Sequence, residues 1–185
     1  MAKLTGLRVA ILATDGFEEA ELTEPMKALE DAGAEVTLLA PQRGSIQGFR
    51  HDEKTIQVPV DHPIDEVDAE QFDAVHLPGG ALNADALRMV SEAQEFLRAM
   101  QDAGKPISAI CHAPWELISA GLVSGRTLTG YHTIQDDIRN AGGRWVDEEV
   151  VEDDNWVTSR QPADIPAFNR AMLKLFAKRL ATSKH

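Results

Sequence analysis

The chain has 185 residues, 43% apolar and 26% charged, with 30 acidic against 18 basic side chains for a formal charge of −12. This suits one compact soluble domain over 1–185 with a sizeable core, and it excludes nucleic acid and anionic membrane as partners, since both need a basic footprint. The single cysteine permits neither an internal disulfide nor a cysteine-based zinc site.

The opening segment "MAKLTGLRVAILATDG" carries an apolar run too short for a signal peptide or a membrane span. No later run is long enough either, so a cytoplasmic protein is expected. Four short apolar runs read as buried parallel strands: "LRVAILA" (7–13), "EVTLLA" (35–40), "FDAVHL" (72–77) and "PISAI" (106–110). Between them lie segments of helical spacing, with Leu22, Met26 and Leu29 before Gly33, and Phe96, Leu97 and Met100 before Gly104. The stretch 48–61 alternates like a small hairpin. Residues 142–160 suggest further short strands about a turn at Asp153, Asp154 and Asn155. Ile165, Phe168, Met172 and Leu175 share one face of a last helix. Such alternation predicts an α/β domain whose mostly parallel sheet is covered by helices on both faces.

Parallel strands send their exits to one edge, where ligands of such sheets bind. Three exits carry chemistry there: "TDGFEEAE" with Glu18, "PGG" with Gly79 and Gly80, and Cys111-His112. A nucleophile on a tight strand-to-helix turn needs small residues two places either side; Ala109 and Ala113 occupy them, and Pro114 suits a first helical turn. The following helix would then favour a Cys111 thiolate. A buried structural cysteine is the bland alternative. Adjacent residues on a regular helix do not face each other, so His112 serves as base only if Cys111 sits in a strained turn; otherwise it is a surface histidine. Asp15 and Glu18 match a capping box, while a carboxylate beside the sulfur would share its proton; spacing leaves both open. Pro25 weakens the cap reading, since a helix starting at Gly16 would have to kink or restart near Thr23. "PGG" is either a plain loop or an oxyanion hole in which glycine amides and the His112 N–H approach a developing negative oxygen. No glycine-rich run leads to a lysine, which disfavours a phosphate loop. Neither a metal nor a cofactor is expected.

The segments "DGFEEAEL", "PQRGSIQG", "FDAVHLPGG", "GKPISAICHAPWELISAG", "DDIRNAGGRWVDEEVV" and "NWVTSRQPADIPAFNR" together resemble the PfpI family of intracellular cysteine proteases. That family sits in the class I glutamine amidotransferase-like superfamily, with stress-induced deglycases and chaperones. The resemblance implies a flavodoxin-like three-layer sandwich, Cys111 as nucleophile, His112 as its base and Glu18 as the carboxylate touching the sulfur. It also implies oxyanion donors from Gly79, Gly80 and His112. Members assemble as dimers or higher oligomers, some borrowing an acid from a neighbouring subunit; Asp85 stands where the protease archetype has a glutamate. Trp115 departs from the smaller or polar residue usual after the "CH-small-Pro" motif and narrows the pocket or packs in the core. His132 reaches the same edge or rests in a loop. The expected substrate is a peptide or a small carbonyl compound attacked by the thiolate. The alternatives are a redox-responsive stress protein whose cysteine is oxidised, and a binding or chaperone module that works without it. A glutamine amidotransferase is disfavoured by the lack of a later "HPE"-type pair.

Overall fold

The structure, a computed structural model, describes residues 3–182. In chain order, β1 (Arg8–Leu12) leads through β2 (Phe17–Glu18) into α1 (Glu19–Asp31), followed by β3 (Glu35–Ala40), β4 (Ser45–Arg50), β5 (Glu53–Pro59) and β6 (His62–Pro63). Then come β7 (Ala74–Leu77), α2 (Ala81–Leu87), α3 (Ser91–Asp102), β8 (Ile107–Ile110) and α4 (Pro114–Ser119). The chain continues through β9 (Thr127–Leu128), α5 (Gln135–Asn140), β10 (Arg144–Trp145), β11 (Val151–Asp153), β12 (Trp156–Ser159) and α6 (Ile165–Thr182). A seven-stranded sheet runs in the order β11-β12-β8-β7-β1-β3-β6, parallel throughout except for the antiparallel β11–β12 pair. The four apolar runs are its central strands, joined by β12, which pairs with β8 from Trp156↔Ile107 to Ser159↔Ile110.

The strand period of two decides which helix each strand residue meets. Val9 and Ala74 pack with Leu29 of α1 and with Phe168, Met172 and Phe176 of α6. Their neighbours Ala10, Leu12, Val75 and Leu77 turn to the opposite face, against Phe96, Leu97 and Met100 of α3, Leu117 of α4 and Ile138 of α5. Both faces of the sheet are thus dry, which is why its strands are continuous apolar runs rather than alternating ones. The architecture is a flavodoxin-like α/β sandwich. Burying each Leu or Phe contributes about 1.5–3 kcal/mol, so two such layers hold the strand ends rigidly. Among the described residues no helix is long and apolar enough to cross a membrane.

Three local expectations are corrected. Asp15 and Glu18 form no capping box: Asp15 accepts the Gln47 N–H at 2.8 Å and so ties the first loop to β4, while Glu18 precedes α1 without capping it. Helix α1 starts at Glu19 rather than Gly16 and runs unbroken with Pro25 inside it. The outer hairpin starts at Ser45, three residues before the alternation made it visible, and β4 pairs in parallel with β2.

Candidate active site

Cys111 directly follows β8, its N–H still donating to Ser159 O at 3.0 Å, and α4 begins three residues later with Pro114 at its first turn. Between them the backbone turns through a left-handed conformation, with φ +63° at Cys111. A non-glycine residue holds that shape only where its surroundings over-determine it. Here Ala109 and Ala113 are fully buried, leaving the strand and helix room to touch.

The left-handed turn lets adjacent side chains meet, as a regular helix would not. Cys111 Sγ lies 3.1 Å from His112 Nδ1. The imidazole stacks on Tyr131 at 4.7 Å and meets the edge of Trp115 at 5.2 Å. Burial, helped by the nearby His132, lowers its pKa, so the ring is neutral near pH 7 and able to accept a proton.

The carboxylate facing the sulfur is Glu21, not Glu18. Glu21 is wholly buried on α1, in a stripe with Leu22, Pro25 and Leu29. Neither of its oxygens completes a hydrogen bond of good geometry, and the groups facing it are the Cys111 thiol and the Gly79 N–H. Burial pushes its pKa well up, the Glu18 charge adds to this, and those two donors offset part of it. Glu18 instead sits on β2 at the pocket mouth, accepting the His51 N–H at 3.1 Å and donating its own N–H to Gly79 O at 3.2 Å.

Burial opposes the thiolate that the helix is expected to favour. With only 7% exposure, burial pushes the Cys111 thiol well up, and the Glu21 charge pushes it further; the Gly80 and His112 N–H groups work the other way. A six-residue helix is a weak dipole against desolvation. Cys111 and Glu21 therefore titrate as a pair in which each disfavours the other's charge. The Gly80 and His112 amides favour the charged form of the sulfur, while burial favours the neutral form of the Glu21 carboxyl.

The glycines divide the work. The Gly80 N–H and the His112 N–H face the sulfur, whereas the Gly79 N–H is turned to Glu21 and does not join them. A side chain at Gly79 would collide with the Glu21 carboxylate and come within 2.6 Å of Cys111 Cβ and 2.8 Å of Ile110 O. Gly80 has φ +92° and is pressed against the β2 loop, so that an added Cβ would lie 2.7 Å from Glu18 N. Glycine at both places lets α1, β7 and β8 converge on one point.

Above the sulfur a pocket of about 280 Å³ is walled by Gly16, Glu18, His51, Gly80, Leu82, Tyr131, Gln161 and neighbouring residues. It adjoins a second cavity of about 580 Å³ through Glu18, His51, Gln161 and Pro162. Arg160 holds that wall, its Nε 2.9 Å from Asp164 Oδ2. Two residues expected to line the pocket do not. Trp115 packs behind His112 and donates to Asp137 at 2.8 Å, while His132 is exposed and touches Tyr131 at 4.5 Å. Asp85 is exposed on α2, also off the pocket wall. Tyr131, His51 and Gln161 were missed because each arrives on a loop whose sequence has no chemical signature. Glu21 had a signal: an acidic residue four before Pro25 and eight before Leu29 falls on the core face of the helix. Among the described residues, no cluster of three His, Cys, Asp or Glu side chains could hold a metal.

This geometry coincides with clear likeness to known proteins. The pattern of the DJ-1/PfpI family matches residues 7–175. Deglycase TK1284 of Thermococcus kodakarensis is 44% identical over 169 residues, covering 91% of this chain and 99% of that protein. General stress protein 18 of Bacillus subtilis is 43% identical over 174 residues, covering 94% and 99%. A two-domain Anabaena variabilis protein with DJ-1/ThiJ/PfpI-like and ferritin-like domains superposes with a TM-score of 0.86 at 34% identity, over 91% of this chain and 47% of that longer one. A fold, a cysteine turn and a sequence likeness that all run the length of the domain have one common reading: the chain belongs to the DJ-1/PfpI family.

Proposed function

We propose that the protein is a cysteine hydrolase of the deglycase type, in which the Cys111 thiolate attacks a carbonyl carbon of a small aldehyde-derived adduct. The observation that carries this reading is the 3.1 Å approach of Cys111 Sγ to His112 Nδ1 beneath an open pocket. His112 takes the thiol proton, the sulfur adds to the carbonyl carbon, and the electron pair moves to oxygen, where the Gly80 and His112 amides stabilise it. His112 then returns its proton to the amine nitrogen as the adduct's C–N bond breaks. A proton moves between the two carbons of the α-oxoaldehyde unit to leave a 2-hydroxyacyl thioester on Cys111. Water hydrolyses that thioester to the hydroxy acid and the free thiol, with Glu21 steadying the sulfur through its neutral carboxyl. A pocket of about 280 Å³ is at the small end for organic ligands, which favours a compact adduct over an extended peptide. The deglycase name of the Thermococcus relative agrees with this choice, and the stress-protein name of the Bacillus relative fits a protective role.

The test is release of free amine and hydroxy acid from α-oxoaldehyde adducts of N-acetyl-lysine and N-acetyl-arginine, followed by chromatography. Wild type should turn them over, and Cys111→Ala should be inactive. Equal product release by both proteins would overturn the reading and favour a module that does not use the cysteine. A second reading, oxidation of Cys111 to a sulfinate, draws support from the neutral carboxyl and two amides around the sulfur. Mass spectrometry after mild peroxide would detect it as a gain of two oxygens. We also propose a dimer or higher oligomer: Leu82 and Met89, 64% and 79% exposed, flank Asp85, and a second copy covering them would bring each Asp85 towards its neighbour. Light scattering reads that state directly.

A further inference from the structure

Helix α1 contains a defect where it carries the carboxyl that faces the nucleophile. In an α-helix the carbonyl of residue i accepts from the N–H of residue i+4. For Glu21 that partner is Pro25, which has no N–H. The carbonyl freed in this way is buried with the rest of Glu21, where an unpaired acceptor is costly.

The missing donor comes from another element. His76, fully buried on β7, brings Nε2 to 2.9 Å from Glu21 O, while its Nδ1 lies 3.0 Å from Ser108 Oγ on β8. A carbonyl only accepts, so Nε2 carries the proton, and Nδ1 is left to accept from the Ser108 hydroxyl. The ring is further confined by Phe168 of α6, with centroids 5.6 Å apart. Every ring nitrogen is thus committed, and the imidazole joins two central strands to the backbone of the residue whose side chain meets Cys111.

We infer that His76 is a positioning residue: it replaces the helical donor lost at Pro25 and thereby holds the Glu21 carboxyl against the Cys111 sulfur. This rests on the reading that Glu21 tunes Cys111. The charged and titratable groups facing that pair are Glu18 from β2, Asp164 from the turn before α6, and His112 beside the sulfur. None of them touches His76 among the contacts described, so a change at His76 acts through Glu21.

The experiment is the pH dependence of Cys111 alkylation by iodoacetamide in the full chain. Glu21→Gln comes first; if its midpoint equals that of wild type, the underlying reading fails. If it moves, His76→Val is expected to move the midpoint in the same direction, by about 0.5 pH unit or more. Pro25→Ala restores an N–H at the i+4 position, so the His76→Val, Pro25→Ala double variant should return to the wild-type midpoint. Core packing alone predicts no such rescue, because Pro25→Ala refills nothing on β7. A moved Glu21→Gln midpoint with an unmoved His76→Val midpoint, or a double variant no closer to wild type than His76→Val, overturns the inference. Should His76→Val not fold, Ser108→Ala, which only frees Nδ1, is expected to give a smaller shift in the same direction, and its absence in a folded protein is equally decisive.

Discussion

Glu21 and Glu116 are both buried carboxyls on the first turns of helices, and neither completes a hydrogen bond of good geometry at either oxygen. Burial pushes both pKa values well up. They differ in what surrounds them. Glu21 faces Cys111 and the Gly79 amide and feels the charges of Glu18 and Asp164, whereas the shift of Glu116 has burial as its only cause. A perturbed acid is therefore not a site in itself. What distinguishes Glu21 is a thiol that can share its proton and a chain of contacts, through its backbone to His76.

The same substitution at the two positions separates these roles. Glu21→Leu should reduce kcat/KM by about 10³-fold, within the range for loss of a proton-handling group, while Glu116→Leu should leave turnover within about 2-fold. Steady-state kinetics on the adduct substrates checks both; equal losses would mean that Glu116 communicates with the site. The next largest effect belongs to His76, whose burial holds its folded-state pKa down at about 4. The unfolded chain binds this proton at about 6.5, so stability is fully present above that value. It falls as the pH drops towards 4, by about 3 kcal/mol in all. Urea melts at pH 7 and pH 4 should show that loss in wild type and a smaller one in His76→Val.

The smallest expected effect is a gain. Replacing the unpartnered Glu116 carboxyl by Leu should stabilise the fold by about 1–3 kcal/mol, read as a rise in Tm. Its pH dependence has the opposite sign to that of His76. A buried acid whose folded pKa is raised adds no pH-dependent cost below its model value of 4.5 and destabilises increasingly as the pH rises above it. The gain from Glu116→Leu should accordingly be larger at pH 8 than at pH 4. Glu21→Leu should share that sign, which would mark Glu21 as a carboxyl retained at some expense of stability.

Much of this was legible in the residues. The apolar runs at 7–13, 35–40, 72–77 and 106–110 became β1, β3, β7 and β8 because a strand covered on both faces is mostly apolar, its buried polar exceptions His76 and Ser108 being hydrogen-bonded to each other. The elbow at Cys111 was readable from Ala109, Ala113 and Pro114, whose sizes and φ preference suit only a tight turn into a helix. The sequence pointed to Glu18, and Glu21 was not weighed against it. They lie three residues apart, and the choice depended on where α1 begins. The helix starts after Glu18 rather than at Gly16, which leaves Glu18 on the rim and rotates Glu21 inward.

The amino-acid order by itself determined the layered fold, the shared edge of the strand exits and the Cys111-His112 turn, since each follows from local sterics and periodicity. Only the tertiary structure decided the ionisation partner, the division of labour between Gly79 and Gly80, and the use of His76. Desolvation and hydrogen bonding depend on groups 55 and 90 residues apart in the chain, His76 and Glu21, Cys111 and Glu21, that meet only once the sheet is assembled. A proline in a helix reads locally as a fault. In the folded protein it is the vacancy into which a histidine from the sheet donates.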